Sequence, residues 1–169
     1  MIKYYISKNA AILFVGINPH FGSYSIGVPF SNNKMFWYLL SDAGIIQEKR
    51  EFLKDNRKLK KLYGEISKRY KINFINIIYK PTKNVSTLRK GDETVGVERL
   101  SRIIMQKKPK VVCFIGKVTF AKFNGNNKIR FGLQKKFSNS IVYVMHFPVR
   151  GYASVRIREL KAIKKLARL

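Results

Sequence analysis

Four short segments carry the residue types that could do chemistry: Asn18-Pro19-His20, Asn76 followed by Lys80-Pro81-Thr82, Gly116-Lys117, and His146-Phe147-Pro148. They include both histidines of the chain. Carboxamides and imidazoles are hydrogen-bonding groups, and an aromatic at Phe30 lies a little beyond the first segment. This set suits a nucleobase turned out of a duplex, which needs an aromatic face to stack on and donors and acceptors matched to its edge. Breaking the glycosidic bond to such a base passes through an oxocarbenium-like sugar. The departing base takes negative charge that buried donors stabilise, and no metal is required.

Other chemistries lack their parts. No acidic residue precedes Asp42, and none lies between Glu98 and Glu159, so neither the first nor the fourth segment offers the paired carboxylates of a metal-dependent nuclease or polymerase. Gly22 and Gly27 have the spacing of a phosphate-binding loop, but Val28 stands where its lysine belongs. One cysteine and two histidines cannot build a zinc or iron–sulfur site, so no cofactor is expected. Cys113, within "KVVCFIG", reads as a buried, inert thiol in a reducing compartment.

The elements that must position these segments follow from periodicity. Apolar runs at 11–17, 72–78, 110–116 and 140–145 read as four strands, and each candidate segment begins where one of them stops. Phe36, Leu39, Leu40 and Ala43 share one helical face, as do Val97, Leu100, Ile103 and Ile104. Residues 47–71 form a charged helical stretch, and residues 154–169 form a closing amphipathic helix. Strand, helix, strand implies right-handed crossovers and an α/β domain over 1–169 with a mainly parallel sheet. In such a sheet, ligands bind beyond the carboxyl ends of the strands.

Lys plus Arg number 35 against 9 acids, a formal charge of +26, which points to a polyanionic partner. Duplex DNA is the expected one. An anionic membrane surface is the competitor, but no apolar run reaches the roughly 18 residues of a spanning helix. A cytoplasmic, nucleoid-associated, prokaryotic-type location and a monomer are expected.

The stretch "LFVGINPHFGSYSIGVPFSNNKMFWYLLSDAGI" resembles the first motif of the uracil-DNA glycosylase superfamily in its mismatch-specific uracil/thymine branch. Gly-Ile-Asn-Pro, a Pro-Phe pair and a Phe-Trp pair opening a helix carry the match, which continues through "FINIIYKPT", "CFIGK" and the Pro148 region. The resemblance implies a three-layer α/β/α fold with a short four-stranded sheet. It also implies removal of uracil or a mismatched base from double-stranded DNA, leaving an abasic site. Asn18 matches the asparagine that positions the attacking water. Relatives with aspartate there are stronger catalysts, so a modest rate is implied. Phe30 matches the stacking aromatic, and Asn76 resembles the asparagine that reads the uracil edge, its other reading being a polar strand end.

The chain leaves the pattern at two places. His20 stands where glycine commonly follows Asn-Pro; the uracil-specific branch has a tyrosine there that blocks a 5-methyl group, so His20 reads as a steric gate. The second motif reads "MHFPVRGYAS", and either Phe147 or, with a one-residue shift, His146 fills the family's polar position. Arg150, Gly151 and Tyr152 could fill the space left by a flipped base, or only cover a helix start. Lys34, Lys80 and Lys117 are the expected DNA contacts at this edge. Two alternatives remain: a non-catalytic DNA-binding protein on the same fold, and a glycosylase for another deaminated base such as hypoxanthine.

Overall fold

The computed structural model describes residues 1–82 and 91–169. Five strands form one sheet: β1 (Ile12–Gly16), β2 (Ile72–Asn76), β3 (Val111–Ile115), β4 (Gly132–Phe137) and β5 (Ser140–Met145). Their order is β2-β1-β3-β5-β4. All neighbours run parallel except β4, which is antiparallel to β5. Among the described residues the helices are α1 (Phe21–Ile26), α2 (Met35–Asp42), α3 (Arg50–Lys54), α4 (Asn56–Tyr70), α5 (Thr94–Lys107), α6 (Lys117–Asn124) and α7 (Ala153–Ala167).

The strand alternation sorts side chains into two cores. Ile12 and Phe14 of β1, with Ile72, Phe74, Val111 and Cys113, pack against α2, α3, α4 and α7 through Leu39, Leu40, Leu53, Leu59 and Ile163. Leu13 and Val15, with Ile75, Val112 and Phe114, pack against α5 and α6 through Leu100, Ile104 and Phe120. Both faces of β1, β2 and β3 are therefore covered, and their residues are buried throughout. This is why these strands read as unbroken apolar runs. The result is the expected three-layer α/β/α arrangement.

The expected four strands become five. The additional strand, "GLQKKF", is a half-exposed edge with Lys135 and Lys136 and an irregular register between Gln134 and Phe137. It lacks an apolar pattern because one margin of it faces solvent, where lysines discourage edge-to-edge pairing. The charged stretch 47–71 is also divided. Asp55 accepts from the backbone N–H groups of Arg57 and Lys58 and starts α4 as a new helix, and those two bonds hold its carboxyl below the usual carboxylate range.

The opposite edge, β2, is covered by the chain's N-terminal segment running beside it in the reverse sense. Ser7 shares hydrogen bonds with the Asn73 side chain, and Tyr4 reaches Asn76. Just beyond β2, α5 comes so close that a Cβ on Gly96 would fall 2.0 Å from the Ile77 carbonyl oxygen. Arg99, one turn on, donates to that same carbonyl at 2.5 Å. Gly96→Ala is thus expected to be destabilising despite alanine's better helix propensity, by about 1–3 kcal/mol. A thermal melt should show Tm lowered by about 2–4 °C per kcal/mol. A Tm equal to or above that of the parent would mean that α5 does not seat on Ile77 this closely.

Candidate active site

Parallel pairing brings the first, second and fourth candidate segments to one edge of the sheet. Gly16 is in register with Asn76, and Val15, Phe114 and Val144 are aligned across β1, β3 and β5. His146 therefore stands two strand spacings, about 10 Å, from the β1 loop. The first two loops continue the pairing beyond the strands: Ile77 N–H donates to Gly16 O, Ile78 N–H to Ile17 O, and Thr82 N–H to Pro19 O. Asn18 completes this stitching. Its Nδ2 donates to Thr82 Oγ1 at 2.7 Å and to Pro19 O at 3.3 Å. With the amide nitrogen anchored, the Oδ1 end is left as the acceptor, the atom that can orient a water molecule.

Asn76 and Phe30 meet at Gly16. A Cβ on that glycine would lie 2.3 Å from Asn76 Oδ1 and 2.8 Å from the Phe30 ring edge. Phe30 is held by Phe36 and Phe74, with ring centroids 5.0 and 6.2 Å away. Its backbone is in the left-handed region at φ 56°, an uncommon position for an aromatic residue. Asn76 is 2% exposed; its Nδ2 donates to the Tyr4 hydroxyl at 2.9 Å, while Oδ1 is buried without a partner. A buried acceptor left in this state costs about 1–3 kcal/mol. In this conformation the ring edge and the carboxamide lie together over Gly16.

The fourth segment is organised by α7. His146 Nδ1 lies 2.8 Å from Glu159 Oε1, and its backbone N–H donates to Glu159 Oε2 at 3.0 Å. Phe131 stacks on the imidazole, centroids 3.4 Å apart, and Lys117 Nζ lies 4.6 Å from the centre of that phenyl ring. The next loop is gathered by buried Arg156, which donates to Phe147 O and Tyr152 O and lies against Gly151, whose φ is 73°. Between these anchors the loop presents Phe147, Val149, Arg150 and, 83% exposed, Tyr152.

The remaining candidates take varied places. His20 is exposed, and its Nδ1 accepts from Gly22 N–H at 3.0 Å, capping α1. Lys34 is half-buried and donates to the Lys54 carbonyl, whereas Lys80, Lys117 and Arg150 are exposed. A shallow depression of about 370 Å³ beside α6 is lined by Lys117 and by the ion-paired Glu93 and Lys122. Its carboxylate makes it a poor seat for an anion.

Sequence reading overlooked Tyr4, Thr82 as an anchor, Glu159 and Arg156. Tyr4 and Thr82 act across 72 and 64 residues, beyond any local pattern. Glu159 and Arg156 did leave a signal, since both lie on the buried face that also carries Leu160 and Ile163. Charges on the apolar face of an amphipathic helix require partners. The segment after β5 has no acid of its own, and α7 supplies it with one.

Residues 3–158 match the family model described as the uracil DNA glycosylase superfamily. That span includes Asn18, Phe30, Asn76, Thr82 and His146, and it stops one residue short of Glu159. Gly16→Ala is expected to displace both Asn76 and Phe30 and to lower base excision from duplex DNA by about 100-fold, the usual consequence of misplacing a bound group by an ångström. Single-turnover kinetics beside a melting curve measure this. A parent-like rate in a folded variant would remove the Gly16 contact from the site.

Proposed function

The chain belongs to the uracil DNA glycosylase superfamily, a family of DNA-acting hydrolases, and from that premise we propose that it flips uracil out of double-stranded DNA and hydrolyses its glycosidic bond. The observation that carries this reading is the pair of carboxamides at one sheet edge, each with Nδ2 anchored and Oδ1 left over. Asn76 Oδ1 accepts the imide N–H of the extruded base, Phe30 turns to stack on it, and Asn18 Oδ1 holds the attacking water. His146 serves the departing base. With Nδ1 engaged by the Glu159 carboxylate, Nε2 donates to a base oxygen when the ring carries both protons. The loop held by Arg156 inserts Tyr152 into the vacated stack, and Lys80, Lys117 and Arg150 contact phosphates. No metal enters these steps, and the protein acts as a monomer inside the cell. The mismatch-specific branch remains the assignment within the superfamily, on the Gly-Ile-Asn-Pro and Pro-Phe motifs.

A carboxamide orients water but cannot take its proton at neutral pH. Asn18→Asp should therefore retain or raise uracil excision, because a carboxylate both positions the water and stabilises the oxocarbenium ion. Asn18→Ala should lose about 100-fold in single-turnover rate while duplex binding is kept. Equal rates for Asn18→Ala and the parent would defeat the assignment, and no excision by the parent would favour a non-catalytic DNA-binding protein.

His20 has two roles to separate, a helix cap and a gate against a 5-methyl group. The parent should act on G·U and only weakly on G·T. His20→Gly removes the ring and the cap; His20→Asn removes the ring but keeps a capping acceptor. If the imidazole is the gate, both variants narrow the G·U to G·T rate ratio. A ratio unmoved by His20→Asn would leave the histidine as a cap alone.

A further inference from the structure

Asn76 needs an external group to decide which end of its carboxamide faces the base. Oxygen and nitrogen are similar in size, so shape alone does not choose. Toward Gly16 the amide meets C–H groups of the glycine and of the Phe30 ring edge, a mildly positive surface that favours oxygen. On the other side stands the Tyr4 hydroxyl, 2.9 Å from Nδ2. Tyr4 is itself clamped: its ring lies 4.8 Å from that of Tyr79, and Arg99 caps Tyr79 from 3.7 Å while donating to the Ile77 carbonyl just after Asn76. Among the described residues the two buried side-chain polar atoms without partners are Asn76 Oδ1 and Arg99 Nε, both within this cluster. Burial pushes the Tyr4 phenol up, so it stays a neutral hydroxyl.

We propose that Tyr4 is a specificity-determining residue: its hydroxyl accepts from Asn76 Nδ2 and, together with the C–H surface that disfavours the swapped amide, holds Oδ1 toward the Gly16–Phe30 gap, so that the pocket selects bases whose pairing edge carries an imide or lactam N–H. The inference rests on the base-reading role proposed for Asn76. Uracil, thymine and hypoxanthine present such an N–H, whereas the corresponding ring nitrogen of cytosine is an acceptor and faces Oδ1 with like charge. Tyr4 touches Asn76 and not the base, so it acts by positioning.

The test compares affinities of the full chain for two duplexes that differ at one non-hydrolysable 2′-fluoroarabino nucleotide, uracil or cytosine, each opposite an abasic-site analogue so that neither base is paired. The parent should prefer uracil by about 10-fold or more, the effect of one matched against one mismatched buried hydrogen bond. Tyr4→Phe keeps the ring stack but loses the acceptor, and the preference should shrink to within about threefold. In an Asn76→Ala background the same change should do nothing further, as a double-mutant cycle requires. A Tyr4 that only supports the fold would weaken both duplexes alike and leave the ratio intact, which overturns the proposal. If the parent itself shows no preference for uracil, the reading of Asn76 fails first. Should Tyr4→Phe not fold, the parent still decides: an Asn76 side-chain amide proton must show a nuclear Overhauser contact to the Tyr4 ring, and its absence refutes the orientation.

Discussion

The site depends on the lack of a side chain at Gly16. β1 is an interior strand, hydrogen-bonded to β2 on one side and β3 on the other, so its backbone cannot move to accommodate what approaches its carboxyl end. Two groups approach it there, Asn76 from the neighbouring strand and Phe30 from the loop beyond α1, and a single Cβ would collide with both. Parallel register makes this meeting unavoidable, because Gly16 and Asn76 are partners and their Cα–Cβ directions share a face of the sheet. The same face carries Phe14 and Phe74, and these, with Phe36, form the aromatic floor on which Phe30 rests. The meeting of Asn76 and Phe30 is thus assembled at the rim of the hydrophobic core itself.

Charge is distributed with a similar economy. Against 35 basic residues the chain has nine acids, and most of those are occupied locally. Asp42 and Arg50, Glu48 and Arg69, and Glu93 and Lys122 are ion-paired, and Asp55 caps a helix. Exposed pairs of this kind contribute little to stability. Among the described residues, those four carboxylates are engaged apart from the hydrogen bonds of Asn18 and Asn76. Glu159 differs, and it is buried against His146. There its charge is directed to one imidazole instead of into the solvent where phosphates would lie.

Much of this was legible in the sequence, and what was not has physical causes. β1, β2, β3 and β5 are buried, three of them on both faces, and so wrote continuous apolar runs; the segments following them could be found by counting past those runs. Asn18, Asn76 and His146 emerged as strand-end polar residues for that reason. β4 did not, because an edge strand with Lys135 and Lys136 outward has no pattern to offer. His20 was legible as a position but not as a helix cap, since α1 is only six residues long and shows no periodicity. Least visible were Tyr4 and Thr82. Neither belongs to a strand or helix, and each acts through one hydroxyl on an asparagine far along the chain. Such contacts exist only once the sheet has set its register.

These two hydroxyls do not constrain their asparagines equally. Asn18 Nδ2 faces a carbonyl as well as Thr82, and a carbonyl can only accept, so the sense of that amide is fixed by the protein's own groups. Asn76 Nδ2 faces Tyr4 alone, and a phenol can accept or donate. What keeps Asn76 in the observed sense is the C–H surface beneath its oxygen together with the clamp on Tyr4 by Tyr79 and Arg99. The buried Oδ1 consequently carries an unmet hydrogen bond until a ligand arrives. On the proposed reading of Asn76, a base with an N–H would meet it and recover that cost, whereas a base with a lone pair at the same position would compound it. The unsatisfied acceptor thus sits in the less firmly held of the two amides, and the proposed selectivity would be stored as local instability beside β2. The amide proposed to hold the attacking water is the one whose orientation a carbonyl makes unambiguous.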